Sequence, residues 1–291
     1  MAEFAGVAER GSDVVAGADR RAEVVGRLRD AGCVFAEDEA RVLLAAAGTP
    51  AELEAIVARR VAGEPLEYIV GWAEFCGLRI AVTPGVFVPR RRTEALVREA
   101  VRLLAPVANA APIAVDLCCG SGAIAVAILA RVPSAEVCAA DVDPAAVECA
   151  RVNVEPAGGR VFEGDLFDAL PAELRGRVSV VVANAPYVPT DAIRLMPPEA
   201  RDHEHRIALD GGPDGTDVHR RIAEGAPAWL APGGQLLIET GRAQAPTTAG
   251  HVAAAGFAVT IVEDDEYDAT VVIGRAPDFA HLSPRTRLRA P

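Results

Sequence analysis

Ile113-Ala114-Val115-Asp116-Leu117-Cys118-Cys119-Gly120-Ser121-Gly122 changes the rhythm of the chain. Ile113 to Leu117 is short and apolar and reads as a buried strand. Two glycines then mark a turn, and Ala123 to Arg131 has the composition of a helix. The unit repeats. Glu136 to Ala140 reads as a strand and Pro144 to Val154 as a helix, and a third strand precedes Gly164. Val178 to Val182 is a strand, Gly215 to Leu230 a helix and Gln235 to Glu239 a strand, with a helix from about Ala243. Strands alternating with helices predict a doubly wound, mostly parallel α/β sheet. Phe257 to Val262 and Thr270 to Ile273 break the pattern. Only Glu263 to Ala269 separate them, too few residues for a helical crossover, so they should pair antiparallel.

Residues 1 to about 75 have a different grammar. Arg20 to Ala31, Glu37 to Ala47 and Pro50 to Val61 carry apolar residues at helical spacing. Thr49-Pro50-Ala51-Glu52 supplies an N-cap, a proline at the first helical position and an acid in the first turn. Glu37-Asp38-Glu39 suits the start of the preceding helix. Leu78 to Val88 alternates around Thr83-Pro84-Gly85, which predicts a β-hairpin. The expected organisation is a helical domain over 1–77, a hairpin linker over 78–90, an α/β domain over 91–276 and a loose tail over 277–291. Residues 1–18 are weakly patterned and expected to fray.

The 291 residues are 51% hydrophobic and suffice for a sizeable core. No apolar run approaches the ~20 residues of a membrane span, and the N-terminus lacks the apolar segment of a signal peptide, so a cytoplasmic location is expected. The net charge of -12 argues against a duplex-DNA or bulk RNA partner. Six cysteines form no C-x-x-C pair or zinc spacing and read as free, buried thiols.

In such a sheet, ligands bind beyond the carboxyl ends of the strands. Gly120 and Gly122 permit close approach of the backbone, and Asp116 offers acceptors to an amino group. Asp141 ends the second strand, 19 residues after Gly122, where a carboxylate accepts from ribose hydroxyls. That pair alone also fits a dinucleotide enzyme, but the third glycine is missing. Asp165 can accept from an exocyclic amine, and Leu166 can pack on a base. After Val178 to Val182 comes Ala183-Asn184-Ala185-Pro186-Tyr187. An amide, a backbone carbonyl and an aromatic face around one small volume suit the grip of a planar NH2 group.

Asp116-Leu117-x-x-Gly120-Ser121-Gly122, Asp141, Asp165 and Asn184-x-Pro186-Tyr187 together resemble the protein N5-glutamine methyltransferases. These are class I S-adenosylmethionine enzymes that modify the Gly-Gly-Gln loop of peptide chain release factors. Gly63-Glu64-Pro65-Leu66-Glu67-Tyr68-Ile69-Val70-Gly71, Val82-Thr83-Pro84-Gly85-Val86-Phe87-Val88-Pro89-Arg90 with Thr93-Glu94, and Glu199-Ala200-Arg201-Asp202-His203-Glu204 extend the match. Asp210-Gly211-Gly212-x-Asp214-Gly215 and Glu239-x-Gly241-x-x-Gln244 complete it over about residues 60 to 275.

The resemblance implies a Rossmann-like, mostly parallel seven-stranded sheet with an antiparallel last strand, plus a small helical domain that helps dock a protein substrate. It implies S-adenosylmethionine held by Asp116, Cys118, Cys119, Gly120, Ser121, Gly122, Asp141, Asp165, Leu166 and Asn184, with S-adenosylhomocysteine as product and no metal. It implies catalysis by Asn184, Ala185, Pro186 and Tyr187, with Phe87 and Arg90 joining them in the substrate pocket. The partner would be a protein with an exposed glutamine loop, a release factor, met by a monomer. Three departures stand out. Ala185 replaces the first proline of Asn-Pro-Pro-Tyr and keeps its carbonyl, Arg91-Arg92 replace a Pro-acid pair, and Cys118 stands where the family has glycine. The first two suggest a paralogue. Asn-Pro-Pro-Tyr also serves adenine N6 chemistry, so a nucleobase, a small-molecule amine or a catalytically inert partner-binding role are the competing readings.

Overall fold

The computed structural model describes residues 19–106 and 111–278 of the chain. The expectations for residues 1–18 and for 279–291 lie outside the described residues. The chain divides into two compact units. One comprises the residues up to Trp72 with Pro198–His203, and the other runs from Ala73 to Pro197 and again from Glu204 onward.

The first unit is helical, with residues 19–30 (α1), Ala36–Ala46 (α2), Pro50–Val61 (α3) and Leu66–Val70 (α4). Val24, Leu28, Ala40, Leu43, Leu53 and Val57 recur at helical spacing and share one buried cluster. The start of α3 is a capping box. The Thr49 hydroxyl accepts from the Glu52 N–H at 3.2 Å, and the Glu52 carboxylate accepts from the Thr49 N–H at 3.1 Å. Arg60 is 6% exposed and is ion-paired with Glu39 at 2.5 Å and Glu199 at 2.7 Å. Two carboxylates make burial of that charge tolerable.

The second unit begins with the two-stranded pair Trp72–Phe75 (β1) and Leu78–Ala81 (β2). Its main sheet contains Ile113–Leu117 (β3), Glu136–Asp141 (β4), Arg160–Glu163 (β5), Val178–Ala183 (β6), Leu230–Thr240 (β7), Ala258–Asp264 (β8) and Ala269–Arg275 (β9). The order is β5-β4-β3-β6-β7-β9-β8. The first five run parallel, and β9 lies antiparallel between β7 and β8. This is the mostly parallel seven-stranded sheet with an antiparallel last strand that the sequence implies.

Helices cover both faces, which is why the inner strands β3, β6 and β9 are mostly apolar and buried, while the edge strands β5 and β8 carry exposed polar residues. On one face Ala114, Val180, Val182, Leu237 and Ile273 meet Leu96 and Leu104 of Glu94–Leu104 (α5) and Ile124 and Ile128 of Ala123–Arg131 (α6). Pro144–Val154 (α7) adds Val147 and Val154. On the other, Val115, Leu117, Val181, Leu236 and Val272 meet Ile222 of Asp217–Gly225 and Val252 of Ala245–Ala254. In register, Leu117 pairs with both Ala140 and Ala183, and Asp141 with Glu163. Four parallel strands therefore end nearly level, and their following loops form a row. Among the described residues no helix is long and apolar enough to cross a membrane.

Three sequence expectations are corrected. The hairpin turns at Cys76-Gly77, not at Thr83-Pro84-Gly85. Cys76 and Gly77 have φ of 55° and 73°, as a two-residue hairpin turn of matching twist requires. Pro84 lacks the N–H that a ladder needs, and Gly85 instead bridges to Glu204. The helix expected to reach Leu230 ends at Gly225. Pro227 forces a 3-10 turn over Ala226–Ala228, and Leu230 already belongs to β7. Of the six free thiols, Cys33, Cys76 and Cys118 are only half-buried; all three lie outside the strands and helices, whereas Cys138 and Cys149 are buried within them and Cys119 is buried in the turn after β3.

Gly274 tests how closely the last helix packs on β9. A Cβ there would lie 2.4 Å from Cγ1 of Val252 and 3.1 Å from Cβ of Phe257. Gly274→Ala should cost about 1–3 kcal/mol, read as a lower urea midpoint at an unchanged m-value. An unchanged midpoint would contradict this packing.

Candidate active site

A cavity of about 680 Å³ lies over the carboxyl ends of β3, β4 and β6. It brings together Phe87, Arg90, Cys118, Cys119, Gly120, Ser121, Asp141, Asp165, Leu166 and all of Asn184-Ala185-Pro186-Tyr187. Asp116 and Gly122 do not line it; they build its floor. Gly122 caps α6 at φ 76°, and a Cβ there would lie 2.5 Å from Cγ2 of Val154, so only glycine lets α7 approach. Cys118 and Leu166 have φ of 55° and 49°. Each non-glycine residue in that left-handed region costs about 1–2 kcal/mol. Cys118 thus holds a backbone shape that glycine adopts without strain, and the strain collects at the cavity wall.

On the β4 side, the Asp141 carboxylate accepts from the Gly120 N–H at 2.8 Å and the Asp143 N–H at 3.0 Å, one bond per oxygen. Each oxygen retains a further acceptor lobe. Burial raises its pKa, and the backbone donors oppose the shift. Asp165 accepts from Arg221 at 2.6 Å through Oδ2, and its other oxygen has no hydrogen-bond partner among the described residues. Asp116 is fully buried. Its Oδ2 accepts from the Ala125 N–H at 3.1 Å, whereas Oδ1 has no partner. Burial pushes its pKa up to about 8.

On the β6 side, the side-chain Nδ2 of Asn184 donates to the hydroxyl of buried Thr93 at 3.2 Å, leaving Oδ1 as the free end of the amide. Behind Thr93 lies Glu239, 1% exposed, with neither oxygen closing a hydrogen bond of ordinary geometry. Burial raises its pKa to about 6, while the approach of the Thr93 hydroxyl and the Arg92 guanidinium lowers it. Burial likewise raises the Tyr187 phenol to about 12.

The loop after β6 is clamped from outside. Gln244 Nε2 donates to the carbonyls of Tyr187 at 2.8 Å and Asp214 at 2.9 Å. A Cβ at Gly211 would lie 2.7 Å from the Pro186 carbonyl, and one at Gly215 2.3 Å from that of Tyr187. The Asp210–Gly215 and Glu239–Gln244 stretches are therefore the cradle of Asn184-Ala185-Pro186-Tyr187. Glu204 Oε1 receives both the Val88 N–H at 3.2 Å and the Arg90 guanidinium at 2.5 Å, which sits 5.1 Å from the centre of the Phe87 ring. Thr93, Glu204, Glu239 and Gln244 lie inside stretches singled out from the sequence. Their roles there needed tertiary partners up to 116 positions away.

Residues 77–196 match the family model described as "Methyltransferase small domain". The chain is 44% identical over 230 residues to the release factor glutamine methyltransferase of Geobacter sulfurreducens, covering 77% of this chain and 78% of that one. It is 42% identical over 191 residues to the 4-amino-L-phenylalanine/4-methylamino-L-phenylalanine methyltransferase of Streptomyces pristinaespiralis, 65% of each chain. A solved methyltransferase from Pyrococcus furiosus shares the fold, with a TM-score of 0.50 at 17% identity over 69% of this chain and 90% of that one.

The buried Asp116 makes stability depend on pH. Its carboxyl holds a proton up to about pH 8 when folded, against an ordinary value of 3.8 when unfolded. Between those limits the folded chain binds more protons, so stability falls as pH rises and the loss is complete above about 8. Asp116→Asn should make the decline in urea midpoint over this window shallower. An identical slope in the variant would contradict the assignment.

Proposed function

Because the chain belongs to the release factor glutamine methyltransferase family, we propose that it methylates the side-chain nitrogen of a protein glutamine, with the Gly-Gly-Gln loop of a peptide chain release factor as acceptor. The observation that carries this reading is the orientation of Asn184. With Nδ2 given to Thr93, its acceptor oxygen is left for a ligand in the same cavity that the β3 and β4 loops line.

The residues present fit S-adenosylmethionine as donor. The orphaned Oδ1 of Asp116, beneath the cavity, suits an amino group reached through water, whose positive charge would favour the ionised carboxylate. The spare lobes of Asp141 suit two ribose hydroxyls, and the open oxygen of Asp165 with Leu166 suits an adenine. A cavity of about 680 Å³ is within the usual range for ligand sites. Bound there, the donor supplies an electrophilic methyl group and departs as S-adenosylhomocysteine.

An amide nitrogen is a poor nucleophile because its lone pair is delocalised into the carbonyl. Asn184 Oδ1 and the Ala185 carbonyl each accept one N–H of the target, fixing the nitrogen in position, and one of these two protons is lost to solvent water after the methyl–nitrogen bond has formed. Tyr187 packs on the amide plane and excludes water. Orientation and preorganised acceptors then do most of the catalysis. The helical unit docks the protein acceptor.

A second reading has one specific observation behind it: the S. pristinaespiralis relative is named for an aromatic amine of a free amino acid. The same acceptor pair would grip that NH2 group. Incubation with S-adenosylmethionine and a release factor of the source organism, followed by mass spectrometry, separates the two. One added methyl on the glutamine of the Gly-Gly-Gln loop supports the first reading. Transfer to 4-amino-L-phenylalanine alone supports the second.

Asn184→Ala should lower the transfer rate about 10²-fold or more while leaving S-adenosylhomocysteine affinity within about twofold. An equal loss of donor affinity would contradict its acceptor role. Ala185→Pro should keep activity within about threefold, since the Ala185 N–H donates no backbone hydrogen bond among the described residues. A large loss would mean that the carbonyl of residue 185 is aimed differently from the family's.

A further inference from the structure

The orientation of Asn184 depends on one hydroxyl. Thr93 Oγ1 accepts from Asn184 Nδ2 at 3.2 Å, and a hydroxyl has a single proton beside its two lone pairs. That proton decides which end of the Asn184 amide Thr93 can hold. Aimed at Asn184, it would bond Oδ1 and leave Nδ2 to the cavity. Aimed away, it leaves lone pairs that hold Nδ2 and set Oδ1 free. The two ends of an amide have nearly the same shape, so the choice falls to whatever takes the proton behind Thr93.

Glu239 stands there, near the end of β7 and 1% exposed. Neither of its buried oxygens closes a hydrogen bond of ordinary geometry, yet the Thr93 hydroxyl approaches closely enough to favour the ionised carboxylate. The Thr93 proton has no other acceptor among the described residues. An uncommitted proton and an uncommitted carboxylate therefore face each other in a buried setting, where both need a partner. On its other side Glu239 has Arg92, whose Nε lies 3.5 Å away. That cation opposes the effect of burial and helps keep the carboxylate charged. A charged carboxylate only accepts, so it has no proton to return to Thr93.

We propose that Glu239 is a positioning residue for methyl transfer: its carboxylate takes the Thr93 hydroxyl proton, so that Thr93 accepts from Asn184 Nδ2 and Asn184 Oδ1 faces the acceptor nitrogen. This deepens the methyl-transfer reading and rests on it for the place of that nitrogen. Thr93 and Asn184 line the cavity and Glu239 does not, so Glu239 acts through Thr93 and not on the ligand. Protonation of Glu239 breaks the chain. A neutral carboxyl can donate to Thr93 Oγ1, which turns the hydroxyl proton toward Asn184. The groups that face Glu239 are Arg92 from the 3-10 turn Arg91–Thr93 and Tyr187 from the loop after β6, while β9 sets apolar Val271 opposite it. Arg92 keeps its charge throughout, and the Tyr187 phenol is neutral up to about pH 12. Glu239 is thus the member of this group that titrates near neutrality, ionised above about pH 6.

The test is the pH dependence of kcat on the release factor at saturating S-adenosylmethionine, in the wild type, Glu239→Gln, Thr93→Val and the double variant. Wild-type kcat should decline to a plateau about tenfold lower as pH falls through about 6, the scale of one hydrogen bond. Glu239→Gln, held in the neutral form, should be about tenfold slower above that pH and lack the decline. Thr93→Val should behave alike, and the double variant should lose no more than about a further twofold, because both changes cut one chain. Thr93→Ser, which keeps the hydroxyl, should retain the wild-type profile. Affinity for S-adenosylhomocysteine should stay within about twofold throughout. A flat wild-type profile, a decline that survives in Glu239→Gln, or losses that multiply in the double variant would overturn the assignment. So would a Glu239→Gln protein with a lower urea midpoint and weaker donor binding but an unaltered pH profile, the result for a merely structural role. If the wild type transfers no methyl group, the methyl-transfer reading falls instead, and hydrogen exchange of the Asn184 side-chain amide, followed by NMR, decides the chain by itself. That exchange should be slow in the wild type and faster in Glu239→Gln and Thr93→Val, and equal rates in all three would overturn it.

Discussion

The parallel, in-register pairing of β3 with both β4 and β6 is the constraint on which the rest depends. Leu117 stands level with Ala140 on one side and Ala183 on the other. The Cys118–Gly122 turn, Asp141 and the loop from Asn184 therefore emerge side by side, although they are scattered over about 70 positions of sequence. A slip of one residue in β3 would exchange its two faces. Asp116 would then leave the α6 side, where it meets the Ala125 N–H, and an apolar residue would take its place. Continuous apolar strands buried on both faces make such a slip costly, because every residue moved is a core residue.

That rigidity lets the cavity wall hold groups that are unfavourable in isolation. Asp116 carries an unpartnered oxygen at full burial, and Glu239 is a carboxylate with no hydrogen bond of ordinary geometry. Cys118 and Leu166 sit in backbone regions that suit glycine. All four lie at or just behind the same cavity, and strain and unsatisfied polar groups of this kind gather where a ligand relieves them. The chain belongs to a family of methyltransferases, and a charged, nucleoside-bearing donor has the chemistry that these groups lack.

Much of the sheet was legible because its cues are local. β3, α6 and α7 each have an apolar run or amphipathic stripe bounded by glycine, or by Asp143 and Pro144 at a helix start. The Thr49 capping box was legible for the same reason. The hairpin was misplaced because Thr83-Pro84-Gly85 is the stronger turn signal in composition, while the actual turn needs Cys76 in a left-handed conformation that cysteine seldom adopts. The helix after Gly215 is shorter than its composition suggests because Pro227 has no N–H to continue it and a 3-10 turn follows. At the site, that Asp141 and Asn184 line the cavity follows from their places at strand ends. The jobs of Gly211, Gly215 and Gln244 do not follow in this way, since each is defined by contact with the Tyr187 loop that only the fold brings within reach.

The central claim is that Asn184 presents an oxygen, not an amino group, to the acceptor nitrogen. The most direct measurement is a crystal structure of the chain with S-adenosylhomocysteine and a glutamine-containing Gly-Gly-Gln peptide. The account predicts the glutamine amide nitrogen within hydrogen-bond distance of both Asn184 Oδ1 and the Ala185 carbonyl, facing the sulfur, with Thr93 still on Nδ2. A glutamine bound elsewhere, or an Asn184 amide turned to offer Nδ2 to the ligand, would contradict it.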